Sequence, residues 1–291
     1  MSKQANNSVA VAGIGSMGKK LVELLKLEYN LTIWNRTRSR IPDFDGVQIA
    51  ATAAEAFHQG AIVIICVHDY TAVKQVFDSL PHHTNLDGKL IVNFTTISPA
   101  EAKELETTFS QHGAIFINGA LQVAPDQMGL PETTILLSGD RSGYDRLTSL
   151  LSVLGGNLRY LGEDISLSSV GDLAMLTWFY GSYFGMIHAV ELSKRSGLSL
   201  KSFSDLLAEV APGFIAFMQH QVQTIEKDDF TITQSPLSIS VPAVHRINDS
   251  LLEKGIHSDM WASILGLFHN AEKANLVNQE LAAIVKVIGN K

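Results

Sequence analysis

Cysteine is almost missing from this sequence: Cys66 is the only one in 291 residues. An internal disulfide is therefore excluded. With no Cys/His cluster at zinc spacing, the sequence predicts no metal site and fits a reducing, cytoplasmic setting. Basic runs are lacking as well. The chain carries 22 Lys and Arg against 29 Asp and Glu, a net charge of −7 with no sustained basic stripe, which argues against nucleic acid as a partner. Residues 1–8 are polar and lack the apolar core of an export signal. Apolar residues, by contrast, make up 46 % of the chain, enough for a proper core in two domains or one large one.

Charge is locally absent too. Between Asp164 and Glu191 the only formally charged residue is Asp172. Leu173, Ala174, Leu176, Phe179, Gly181, Phe184, Gly185 and Ala189 recur there at helical spacing, predicting one helix over residues 168–197 that spans about 40 Å. Gly181, Gly185 and Ala189, four apart, leave a bare groove for another helix. Residues 173–190 just reach the length of a membrane span. Thr177, Tyr180, Ser182, Tyr183 and His188 interrupt them, and no basic cluster precedes them, so the sequence favours a buried interface helix over a membrane partner. Asp172 falls near the helix start. It either complements the positive end of the helix dipole or serves a reaction.

The first half opens with an apolar run at residues 9–12, followed by Gly13-Ile14-Gly15-Ser16-Met17-Gly18 and an amphipathic segment at residues 19–27. This is strand, glycine turn and helix, the context in which such a turn holds a dinucleotide pyrophosphate on the helix N-terminus. Gly13, Ile14, Gly15, Ser16 and Met17 are thus candidate cofactor-binding residues. A second strand at residues 31–34 ends in Asn35-Arg36-Thr37-Arg38-Ser39-Arg40, and no acid follows before Asp43. An NAD site places an acid near this point to hold the ribose 2′-hydroxyl. Guanidinium groups instead suit a 2′-phosphate, so Asn35, Arg36, Thr37 and Arg40 point to NADP(H).

Apolar runs at residues 61–67, 89–93, 114–118, 133–138 and 157–161 alternate with helical segments at 70–80 and 99–112, predicting an α/β fold with a doubly wound parallel sheet. Ligands of such sheets lie beyond the strand C-termini. That places Cys66, Val67, His68, Asn93 and Thr95 at the cofactor rim and Thr96, Val123 and Ala124 beside the substrate. Cys66 has no basic partner nearby in sequence and reads as a packed thiol.

Taken together, GIGSMG, WNRT at residues 34–37 and NFTTISP at residues 93–99 resemble the β-hydroxyacid dehydrogenase superfamily, related to 6-phosphogluconate dehydrogenase, and within it the NADPH-dependent imine reductases. INGALQVAPDQMG at residues 117–129 resembles the imine reductase loop usually written DGAxMATPxxxG. LGED at residues 161–164 and GDLAML at residues 171–176 resemble that family's entry into its interdomain helix. The resemblance covers nearly the whole chain. It implies a Rossmann domain at residues 1–164, an interdomain helix at 165–197 and an all-helical dimerisation and substrate domain at 198–291. It also implies a homodimer with interlocked C-terminal domains. Hydroxyacid dehydrogenases carry a catalytic lysine at the start of this helix, but no Lys occurs between Arg159 and Lys194. Imine reductases carry an aspartate or tyrosine, and Asp172 is the match. Gly171, Gln122, Val123, Ala124 and Ile97 depart from the family's usual residues.

After Gly197 the sequence predicts helices at residues 200–210, 214–225, 241–253, 257–272 and 279–288, with a weak strand at 230–233. Leu176, Phe179, Phe214 and Trp261 are candidate walls of a substrate pocket. The expected reaction is hydride transfer to a small imine, with Asp172 as proton donor or as partner of an iminium cation. A hydroxyacid or aldehyde-acid dehydrogenase, and an inactive NADPH-binding protein, stand as alternatives.

Overall fold

The computed structural model describes residues 8–289. The polar opening read for an export signal lies, but for Ser8, outside the described residues. The chain divides into two compact units, with the boundary between Trp178 and Phe179.

In the first unit, strand β1 (Ser8–Ala12), helix α1 (Ser16–Leu25), β2 (Asn30–Trp34), a two-residue β3 (Gln48–Ile49), α2 (Ala53–Gln59), β4 (Ile62–Ile65), α3 (Tyr70–Asp78), β5 (Leu90–Asn93), α4 (Pro99–Ser110), β6 (Ile115–Leu121), β7 (Thr134–Gly139), α5 (Arg141–Leu154) and β8 (Asn157–Tyr160) follow one another. They form an eight-stranded sheet in the order β3-β2-β1-β4-β5-β6-β7-β8. Alternate residues of β1 serve opposite faces. Val9 and Val11 pack with Leu21 and Leu25 of α1 and Leu147, Leu151 and Leu154 of α5. Ala10 and Ala12 pack with Phe57 of α2, Val73 of α3 and Phe109 of α4. Apolar strands covered on both faces are what an open parallel sheet requires.

One pair departs from the expected parallel sheet: β7 runs antiparallel to β6, with Ile117 opposite Gly139 and Leu121 opposite Ile135. The connection between them holds only a short 3-10 turn at Pro125–Gln127. A parallel return needs a crossover, usually helical, and none is available here. After α5 supplies one, β8 pairs parallel with β7.

Helix α6 (Leu167–Ser196) is the long helix expected from the chargeless stretch, and the boundary between the units falls inside it. No helix among the described residues is long and apolar enough to cross a membrane. The second unit continues with α7 (Leu200–Glu226), α8 (Leu237–Glu253) and α9 (Asp259–Lys273), ending in a 3-10 segment at Leu281–Val287. Two predicted helices at residues 200–210 and 214–225 are therefore one. Pro212 lies inside α7, where its ring nitrogen cannot donate a backbone hydrogen bond, and the helix continues through it.

The weak strand expected at residues 230–233 is absent. Its place is held by a buried carboxylate. Glu280 accepts from the backbone N–H of Thr233, Gln234 and Ser235 at 2.7, 2.9 and 2.8 Å. Gln221 donates from α7 at 3.1 Å. These donors would otherwise need a partner strand. Phe230, Leu237, Val241 and Phe268 close the small core of this unit.

Candidate active site

The turn after β1 is shaped by two close approaches. Gly13 has φ +103°, and a Cβ there would stand 2.2 Å from the Cys66 carbonyl oxygen. A Cβ on Gly18 would stand 2.0 Å from the Gly13 carbonyl oxygen. Both positions admit only glycine, because each collision is with backbone. Gly15 is different. It is the N-cap of α1, in extended conformation and without a side-chain cap, and a Cβ there would meet nothing within 4 Å. The helix N-terminus therefore faces open space with its N–H groups uncapped by any side chain, which suits an anion.

That turn forms one wall of a cleft of about 660 Å³. Of the predicted cofactor residues, Gly13, Ile14, Gly15, Ser16, Met17, Asn35, Arg36, Thr37, Arg40, Cys66, Val67 and His68 all line it. Asn35 stands where an NAD site carries its acid, and it braces the turn. Its Oδ1 accepts from the Ile14 N–H at 3.0 Å and its Nδ2 donates to the Thr37 carbonyl at 2.8 Å. Among the described residues no carboxylate lines the cleft, whereas two guanidinium groups do. Open space at Gly15, an uncapped helix start and paired arginines fit a dinucleotide with an extra ribose phosphate.

Trp34 of β2 and Ala72, Gln75, Val76 and Ser79 of α3 and its C-terminal end also line the cleft. Ala72, Gln75, Val76 and Ser79 carry no local motif that would mark them as cleft residues in the sequence. Gln75 accepts from Arg36 at 2.7 Å and so fixes one guanidinium. Burial pushes the Cys66 thiol up to about 12, which leaves it protonated and inert as a nucleophile.

Asn93 and Thr95 are fully buried and do not line the cleft. They hold its wall instead. Thr95 Oγ1 accepts from the Val67 N–H at 3.1 Å, Asn93 Oδ1 accepts from the Thr95 N–H at 3.1 Å, and Asn93 Nδ2 donates to Asn118 Oδ1 at 2.9 Å. Asn118 then donates to Ser168 and Ser169 at the start of α6. A continuous buried polar chain thus runs from the cleft wall to the helix that carries Asp172.

Asp172 lies in the second turn of α6, later than the sequence suggested. Dipole effects fade beyond the first turn, so complementing the dipole does not account for this residue. Its side chain is 6 % exposed. Gln122, just past β6, donates from Nε2 to Asp172 Oδ1 at 2.7 Å. The Thr96 hydroxyl also bonds the carboxyl. Burial pushes the Asp172 pKa up, while Gln122 and Thr96 pull the other way. Gln122 was visible in the sequence only as a departure from the family's usual methionine.

Thr96 and Ala124 are exposed, and Val123 and Leu176 are half-buried, all in the first unit. Phe179, Phe214 and Trp261 belong to the second unit. The first two are exposed, and the Trp261 Nε1 is buried without a hydrogen-bond partner among the described residues.

Residues 8–162 match the model of the NAD binding domain of 6-phosphogluconate dehydrogenase, and residues 164–290 that of the C-terminal domain of NADPH-dependent reductive aminase-like proteins. An NADPH-dependent reductive aminase of Aspergillus oryzae is 29 % identical over 96 % of each chain. Among solved structures, an imine reductase of Myxococcus stipitatus in complex with NADP+ is 27 % identical, with a TM-score of 0.91 over 96 % of this chain and 99 % of that one. A reductive aminase of Aspergillus terreus in complex with NADPH and ethyl levulinate is 28 % identical, with a TM-score of 0.90 over 97 % and 99 %.

Proposed function

Because the chain belongs to the family built on the NAD-binding domain of 6-phosphogluconate dehydrogenase, we infer from its site that it is an NADPH-dependent reductase of C=N bonds. The carrying observation is Asp172, a carboxyl buried in a helix that offers no lysine at its start. The full-length likeness to reductive aminases and imine reductases supports the same reading.

The turn at Gly13 and the N-terminus of α1 would hold the pyrophosphate, and Arg36, Thr37 and Arg40 the 2′-phosphate. NADPH, when bound, supplies the hydride. Asp172 tends the nitrogen of the acceptor. In its neutral form it gives the proton that an imine nitrogen needs, and in its ionised form it pairs with an iminium that already carries one. Burial favours the first and the bonds from Gln122 and Thr96 favour the second. On the first unit, Thr96, Val123, Ala124 and Leu176 are the proposed substrate-facing side chains.

The assembly we assign is a homodimer in a cytoplasmic setting. Phe184, Phe214, Val222 and Ile239 of the second unit are each more than half exposed (53, 60, 65 and 64 %). A second copy would cover apolar surface of this kind.

NADPH consumption with 1-pyrroline, measured beside glyoxylate and succinic semialdehyde and with NADH in parallel, tests the assignment. Turnover of the cyclic imine with NADPH is expected. Turnover of the two acids alone would assign a hydroxyacid dehydrogenase instead.

A further inference from the structure

We propose that Gln122 is a positioning residue for imine reduction: its carboxamide clamps Oδ1 of Asp172 and, beside the Thr96 hydroxyl, holds the carboxyl in one orientation toward the substrate nitrogen. The proposal rests on the role given to Asp172 above. The backbone on both sides of the clamp is fixed. Gln122 donates its N–H to the Thr134 carbonyl at 3.0 Å, extending the β6–β7 pairing by one residue. The start of α6 is tied to the sheet through Ser168 and Ser169. What remains loose is the terminal torsion of Asp172, a broad two-fold rotor in a carboxylate. Its Oδ1 is taken by Gln122 Nε2 at 2.7 Å, which stops that rotation.

The chemistry of the clamp matters as much as its reach. A carboxamide donates a hydrogen bond but has no proton to release near neutral pH, so it orients Asp172 without competing for the proton in transit. Burial, Gln122 and Thr96 account for the shift of Asp172, and no cation contributes to it. Charges on the neighbouring elements are engaged elsewhere or stand apart. Glu101 of α4 accepts from the Ser98 N–H, and Asp126 is exposed in the 3-10 turn after β6. The amide is therefore the group that opposes desolvation of the carboxylate most directly.

Gln122→Met keeps the volume and removes the donor. With NADPH and 1-pyrroline, kcat should fall about tenfold or more, the value of one hydrogen bond to a charged group. The KM for NADPH should stay unchanged. The limb of the pH–rate profile that vanishes in Asp172→Asn should move to higher pH, because the lost donor favoured the charged form. If Gln122→Met does not fold, Gln122→Asn, whose amide is one methylene too short, gives the same readout. Unchanged kcat and an unmoved limb, with Asp172→Ala inactive, overturn the clamp alone. Near-parental turnover in Asp172→Ala overturns both the clamp and the reading on which it rests.

Discussion

Asn118 and Ser168 exchange two buried hydrogen bonds: the Asn118 amide donates to Ser168 Oγ at 2.9 Å, and that hydroxyl donates to the Asn118 carbonyl at 3.1 Å. Strand β6 is thereby fastened to the first turn of α6. The position of Asp172, one turn later, depends on this fastening. Asn118→Leu would take the acceptor from one N–H of the Asn93 amide and the donor from the Ser168 and Ser169 hydroxyls, at a cost of about 2–4 kcal/mol. The urea midpoint should fall with the slope of the transition unchanged.

Glu280 links acid stability to the second unit. Burial works against its charge, but the N–H groups of Gln234, Thr233 and Ser235 and the amide of Gln221 outweigh it and bring the carboxyl from 4.5 to about 2. A depressed pKa contributes stability that is complete above the ordinary value and is lost as pH falls from about 4.5 toward 2. Glu280→Gln should flatten the acid limb of the stability curve. It should also lower stability at pH 7 by about 2 kcal/mol or more, because its NH2 would face backbone donors.

The glycines of the turn should separate folding from binding. Gly15→Ala places a methyl group in open space on allowed backbone, so the Tm should hold while NADPH affinity falls about tenfold or more through blocked approach of the phosphates. Gly13→Ala drives a Cβ into the Cys66 carbonyl at positive φ, and it should lose stability and binding together.

Arg36 and Arg40 should set the choice between cofactors. If they hold the 2′-phosphate as proposed, replacing either with Ala should weaken NADPH about 10- to 100-fold, leaving NADH within about twofold. Arg40→Ala gives the cleaner result, because Arg36 is also tied to Gln75. Titration by cofactor fluorescence reads both constants.

The turn between β1 and α1 was legible in the sequence because strand, turn and helix are contiguous there and each residue states its own requirement. The long helix was legible for a similar reason: a chargeless run at helical spacing leaves little choice. Strand direction was not. Whether β7 returns parallel or antiparallel depends on what its connection contains, and 12 residues with only a 3-10 turn cannot cross over. The segment at residues 230–233 misled for another reason. Its apolar and β-branched residues suit a strand, but its neighbours pair with a carboxylate some 45 positions away, Ser235 with Glu280 being one such bond. Asn93 and Thr95 were placed at the cofactor rim by proximity to a strand end, while the fold turns their side chains inward as braces. The meeting of Gln122 with Asp172, 50 residues apart, depends on sheet register and helix phase together, and no local pattern announces it.

The most direct test of the account is single-turnover oxidation of bound NADPH by 1-pyrroline in Asp172→Ala, followed by loss of the nicotinamide absorbance. Loss of a general acid or of a charge partner should slow this step about 100-fold or more. The Kd for NADPH should remain within about twofold, because Asp172 does not line the dinucleotide cleft. A single-turnover rate close to that of the parent protein would contradict the account.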